Sequence, residues 1–151
     1  MPSKTFKIKD TDKGLKKLLR KWRLKKSPKV KVGVLGGDRK NDQINNVQLA
    51  IIHEFGTDKI PKRSFIRDSV DQNKDKIQKV ISREAKAIAD EKYNTSVAME
   101  RLGLYIVGVI KKRISTGIPP ALEENTIKRK GSSIPLIDTG QLRNSITHEV
   151  K

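Results

Sequence analysis

The pair His53-Glu54 is the first place in this chain where residue types suggest chemistry. A zinc protease built on such a pair needs a second histidine four residues after the first, so that both imidazoles leave one helical face. Position 57 is Thr and the other histidine, His148, lies far along the chain, so the motif is incomplete. There is no cysteine, which excludes disulfide frameworks and thiolate metal sites, so a metal site would need carboxylates. We expect neither metal nor cofactor. Asp138-Thr139-Gly140, preceded by Leu136-Ile137, has the residue types of an aspartic-protease signature. That chemistry needs two aspartates sharing a proton. A homodimer could supply the second, but Gln141 stands where those enzymes prefer a small residue. Too little chain follows Gly140 for the barrel and flap. A turn before a short helix, with Gly140 supplying its backbone freedom, is the simpler reading. Gly33-Val34-Leu35-Gly36-Gly37 lacks the GxGxxG spacing and reads as a strand end and turn. No Ser-His-Asp or Cys-His set assembles. The expectation is a protein that is not an enzyme and has no small-molecule substrate, with a hydrolase using Asp138 as the weakest competitor.

The elements that must carry these residues follow from periodicity. Thr5–Lys9 alternates as a short strand, and Leu15, Leu18, Leu19 and Trp22 recur at helical spacing until Ser27-Pro28 stops them. Lys29–Leu35 is the clearest strand, and the polar stretch 36–46 reads as a loop. Val47–Phe55 predicts a short helix with Val47, Ala50, Ile51 and Phe55 inward, capped by Gly56. Phe65 starts another element. Ile77, Val80, Ile81, Ala85 and Ile88 predict a long helix to about Tyr93. Val97, Leu102, Ile106, Val109, Ile110 and Ile114 predict a second, ended by Gly117-Ile118-Pro119-Pro120. Leu122–Lys130 allows one or two helical turns, Gln141–Ser145 one more, and Ile146–Val150 alternates as a closing strand. The order predicts an α+β fold: a small antiparallel or mixed sheet packed against two long helices, with extended polar loops at 36–46 and 117–135.

The chain has 151 residues, which fits a single domain: a basic strand-helix segment over 1–28 and a body over 29–151. Hydrophobic and charged residues each make up 34%, so the core should be lean and the helices highly charged. No signal peptide is expected from the polar N-terminus, and no run approaches a membrane span. The net charge is +17, and from Lys4 to Lys31 only Asp10 and Asp12 interrupt the positive sign. That balance favours nucleic acid or acidic protein surfaces as partners. The N-terminal segment reads equally as a solvated basic helix or as a nucleic-acid contact. Its aromatics, Phe6 and Trp22, are few for a nucleic-acid platform, and Trp22 shares a face with the leucines.

Four stretches together carry a family resemblance: Val30–Val34; Leu49–Thr57 with Ile60–Arg67; Ile110–Ile114; and Pro119–Leu122, Thr126-Ile127, Arg129–Ser132 and Pro135–Ile146. The specific element is HEFGT-x-x-IP-x-RSF paired with a downstream LIDTGQLRNSI. In that order the chain resembles the neck or tail-completion proteins of long-tailed bacteriophages, the virion-morphogenesis and minor tail-component type. The resemblance runs from about Val30 onward and is weakest over 67–100.

The resemblance implies a structural virion protein of a phage or prophage. Its place would be the head–tail junction, after assembly in the host cytoplasm. Implied partners are other neck, connector and tail proteins, a homo-oligomeric ring, often hexameric, and packaged DNA in the channel; no membrane is involved. On that reading the motif residues are structural or interfacial. Phe55, Phe65 and Ile66 would anchor the turn after the short helix, and Gly56 would permit a left-handed cap. Pro61 and Arg63 would shape a loop open to a neighbour. Asp138 would cap the last short helix, beside Gly140 and Leu142. Arg143 would pair with a carboxylate such as Glu54, next to His53. The alternative is a basic nucleic-acid-binding module.

Overall fold

Alternating apolar residues in two distant segments produce one antiparallel ribbon. In the computed structural model, which describes residues 28–36 and 44–151, β1 (Val30–Val34) pairs with β2 (Ile146–Val150), Val30 facing Val150 and Val34 facing Ile146. Lys29 and Lys151 extend the ladder through reciprocal backbone bonds of 2.7 and 2.9 Å. A two-stranded ribbon is marginal alone and needs a packed face. Here that face carries Val32, Val34 and Ile146 onto the core.

Six helices occur among the described residues: α1 (Asn46–Phe55), α2 (Phe65–Gln72), α3 (Lys74–Ala89), α4 (Thr95–Ser115), α5 (Glu124–Lys130) and α6 (Gln141–Asn144). The fold is α+β with a two-stranded antiparallel sheet. Helix α4 is its axis. Asn94 starts it by accepting a bond from the Val97 N–H, and Ala98, Gly103, Val107, Ile110 and Ile114 form its buried stripe. Both strands, α2 and α3 pack on α4. At Gly103 the approach is so close that a Cβ would fall 2.6 Å from His148 Cγ, so only glycine admits the strand there. A 2.6 Å contact from His148 Nε2 to Glu100 Oε2 ties the same strand to the same helix. Phe65, Ile110, Ile114 and Ile146 are the largest side chains closed off from solvent.

Several expectations are corrected. The sheet's main helical neighbour is α4, and α3 packs on α4. The α3 helix ends at Ala89 rather than near Tyr93, because Glu91 adopts a left-handed backbone, φ 55°. Its inward residues are Ile77, Val80, Glu84 and Ala87, and Ile81 is exposed. Helix α1 turns Asn46, Ala50 and Glu54 inward and leaves Ile51 54% and Phe55 62% exposed. The helical turns expected over Leu122–Lys130 form α5, while the rest of the 117–135 stretch is not wholly a polar loop, since it buries Ile118. The Thr5–Lys9 strand, the helix of Leu15 to Trp22 and most of the 36–46 loop lie outside the described residues.

Candidate functional site

The HEFGT segment is a corner held by one carboxylate. Glu54, at the end of α1, is buried, and its oxygens accept the Ser64 hydroxyl at 2.7 Å and the Ile66 and Arg67 amides at 2.9 and 3.0 Å. The last two are orphan donors of the first turn of α2, where a negative charge is also favoured by the helix dipole. Charge-assisted bonds of this kind contribute about 1.5–3 kcal/mol each. Between the two helices the chain reverses tightly, with Thr57 N–H bonding Ile60 O at 2.8 Å and Thr57 Oγ1 accepting the Ile60 amide at 3.1 Å. Gly56 makes the reversal possible. Its φ is 78°, and a Cβ there would sit 2.9 Å from the Lys62 backbone nitrogen. Its ψ of 173° places it outside the left-handed helical cap that was expected.

Arg63 closes the corner from the other side. Its amide donates to His53 O at 2.8 Å. Its Nε and Nη2 donate to Pro120 O at 3.0 and 2.9 Å, and Nη2 reaches Ala121 O at 3.4 Å. The side chain is buried, and burial pushes its pKa below the usual arginine value, although arginine keeps its charge throughout the working range of proteins. Arg63 therefore joins the Ile60–Phe65 segment to Pro119–Leu122 within one chain.

These bonds bring the paired motifs to one cleft of about 870 Å³. His53, Pro61 and Arg63 line it from the first motif, and Asp138, Gly140 and Leu142 from the second. The segment 119–130 supplies a third wall with Leu122, Arg129 and Lys130. Leu136, at 8% exposure, enters the cleft from a left-handed backbone with φ 65°. Such a conformation costs a leucine roughly 1–2 kcal/mol and is kept only where surrounding contacts enforce it. Burial pushes the Lys130 ammonium below the ordinary lysine value; Asp138 opposes the shift and the nearby Arg63 charge adds to it.

The remaining sequence-predicted residues fall elsewhere or act differently. Phe65 is a core anchor and Ile66 is half-buried, but Phe55 is exposed and anchors nothing. With Val34, Val47, Ile51 and Ile66 it lines a separate apolar groove of about 360 Å³. Asp138 does not cap α6: Gly140 is its N-cap, and no side chain bonds there. Arg143 does not pair with Glu54, whose oxygens accept from Ser64, Ile66 and Arg67; its Nη1 lies 3.3 Å from Ser115 Oγ. Sequence reasoning missed Glu84. Its carboxylate, almost fully covered on α3, meets Arg83 at 3.0 Å, Arg101 of α4 at 3.1 Å and the Tyr93 hydroxyl. Arg101 also lies over the Tyr93 ring, 5.2 Å from its centroid. Burial alone would raise the Glu84 pKa; the Tyr93 hydroxyl and the two guanidiniums outweigh it and hold it below the ordinary carboxylate value. This knot pins α3 to α4, and none of its residues lines the cleft. Its only signal in sequence is a glutamate at an apolar-face position.

No family model, curated protein or solved structure matches the chain.

Proposed function

We propose that this protein is a structural component of a tailed-phage particle, a neck or tail-completion protein needed for head–tail joining, and that it is not an enzyme. The observation that carries the reading is the fate of its two distinctive motifs. Far apart in sequence, they form walls of one cleft, and two charged groups of the first motif, Glu54 and Arg63, are used as fasteners. Glu54 spends its oxygens on α2, and Arg63 spends its donors on backbone carbonyls. A rigid corner of this kind suits an assembly subunit, whose task is to hold surfaces in register for neighbours. We extend the reading to a homo-oligomeric ring at the head–tail junction, to connector and tail proteins as partners, and to the net positive charge as a complement to packaged DNA. A body of two long helices, with polar segments as arms, belongs to the same proposal.

Electron microscopy of particles made without this protein tests it. Filled heads beside free tails are expected, and intact infectious virions would overturn the reading. The net charge favours one competitor, a nucleic-acid-binding module. Tight duplex binding by the purified protein, with a steep salt dependence, would favour that competitor.

A further inference from the structure

The cleft between the motifs has an apolar floor and a cationic rim. Leu136 and Leu142 are buried in it, and Leu49, Ile60 and Leu122 are half-buried. Four cations line it, Lys59, Arg63, Arg129 and Lys130, against two carboxylates, Glu123 and Asp138. Arg63 is committed to backbone carbonyls. Lys59, Arg129 and Lys130 have no ion-pair partner among the described residues, although burial and Arg63 both make the Lys130 charge costly. Asp138 offsets the Lys130 charge only in part, and a half-buried ammonium without a close ion pair is a site where an incoming carboxylate gains more than it would on open surface.

We propose that this cleft is a docking site for an extended, acidic segment of another protein, its carboxylates on Lys130 and Arg129 and its alternate apolar side chains on the leucine floor. The proposal deepens the assembly reading and rests on it for the partner's class. An extended chain presents side chains to opposite sides with period two, which matches a floor of one character and a rim of the other. Nucleic acid fits less well. The lining contains no Phe, Tyr or Trp on which a base could stack, and Glu123 and Asp138 would repel a continuous line of phosphates. A second copy of this chain, at net charge +17, brings repulsion rather than complementarity.

The test uses the full-length purified protein and a labelled short peptide alternating leucine and glutamate, with a leucine–glutamine peptide and duplex DNA as probes beside it. Binding is read by fluorescence anisotropy and located by backbone amide shifts. The glutamate peptide is expected to bind, to shift the Leu122, Lys130 and Thr139 amides, and to lose about tenfold in affinity in the double variant Arg129→Gln, Lys130→Gln. Lys111→Gln with Lys112→Gln, which removes the same charge from α4, should leave binding unchanged. Equal weakening by both pairs, equal binding of the glutamine peptide, or no peptide binding overturns the proposal. So does duplex binding that the cleft variant alone abolishes, or self-association that it alone abolishes. Either would assign the cleft to nucleic acid or to a second copy. None of these outcomes touches the particle phenotype, so a failed cleft and a failed neck reading remain distinguishable.

Discussion

Glu54 and Glu84 are both carboxylates drawn out of water, at 8% and 3% exposure, and the chain answers them in different ways. Glu54 is met by two backbone amides and a serine hydroxyl, all within 13 residues in sequence. Glu84 is met by a tyrosine hydroxyl and two guanidiniums whose own side chains are 63% and 52% exposed. The first arrangement fixes the path of the chain, because backbone amides do not swing away. The second fixes one helix against another through side chains that still touch solvent and salt. Glu54 therefore fixes the backbone at the corner, whereas the α3–α4 contact depends on side chains that reach solvent.

Breaking the first arrangement should have the largest effect. Glu54→Ala leaves two α2 amides and the Ser64 hydroxyl without their acceptor, and should cost about 3 kcal/mol in denaturant unfolding, nearly independent of salt. A loss below about 1 kcal/mol would mean that water replaces the carboxylate and that the corner is not held by it. Next comes Arg63→Met, which strands the Pro120 and Ala121 carbonyls. A cost of about 2 kcal/mol is expected, with Arg63→Lys recovering only part of it because an ammonium cannot reproduce the planar fork. Full recovery by lysine would reduce Arg63 to a point charge.

Glu84→Gln should cost less, about 1–2 kcal/mol at neutral pH. This is under the 3–5 kcal/mol of a fully buried pair because both arginines are screened. Its pH dependence has a definite sign. The folded-state pKa is held below the ordinary carboxylate value, so the contribution is complete above the unfolded value of about 4.3 and fades as pH falls through the folded one. Wild-type and variant unfolding midpoints should converge in acid, and should approach each other in high salt. A gap that persists in acid would assign the effect to packing rather than charge.

The ribbon and the existence of the central helix were legible because period two in Val30–Val34 and Ile146–Val150 and helical apolar spacing over 97–114 are local signals, although the helix buries Ala98, Gly103 and Val107 and leaves Val97 exposed. So were the residues that meet in the cleft, since His53, Pro61, Arg63, Asp138, Gly140 and Leu142 all belong to the two motifs. What each residue does there was not legible. Hydropathy turned Ile51 and Phe55 inward on α1, but the demand of α2 for an acceptor turns Glu54 inward and rotates the helix the other way. The Arg143–Glu54 pair failed for the same reason. Lys130 and Arg129 read only as part of a short polar helical stretch, because only the folded chain sets α5 against Arg63 and Leu136.

The smallest expected effect sharpens the contrast most cheaply. Phe55 is the neighbour of Glu54 and one of three phenylalanines in the chain, so composition alone would make it the more important of the two. Its ring is 62% exposed, whereas Phe65, ten positions on, has none of its surface exposed. Burial is what converts an aromatic ring into stability, so Phe55→Ser should change the unfolding free energy by less than about 0.5 kcal/mol. Phe65→Ala, as a control, should cost about 3–5 kcal/mol. If Phe55→Ser instead matched Glu54→Ala, the apolar groove beside Val34 and Ile51 would be closed in solution by something that covers the ring. The corner would then owe its rigidity to that cover as much as to the carboxylate.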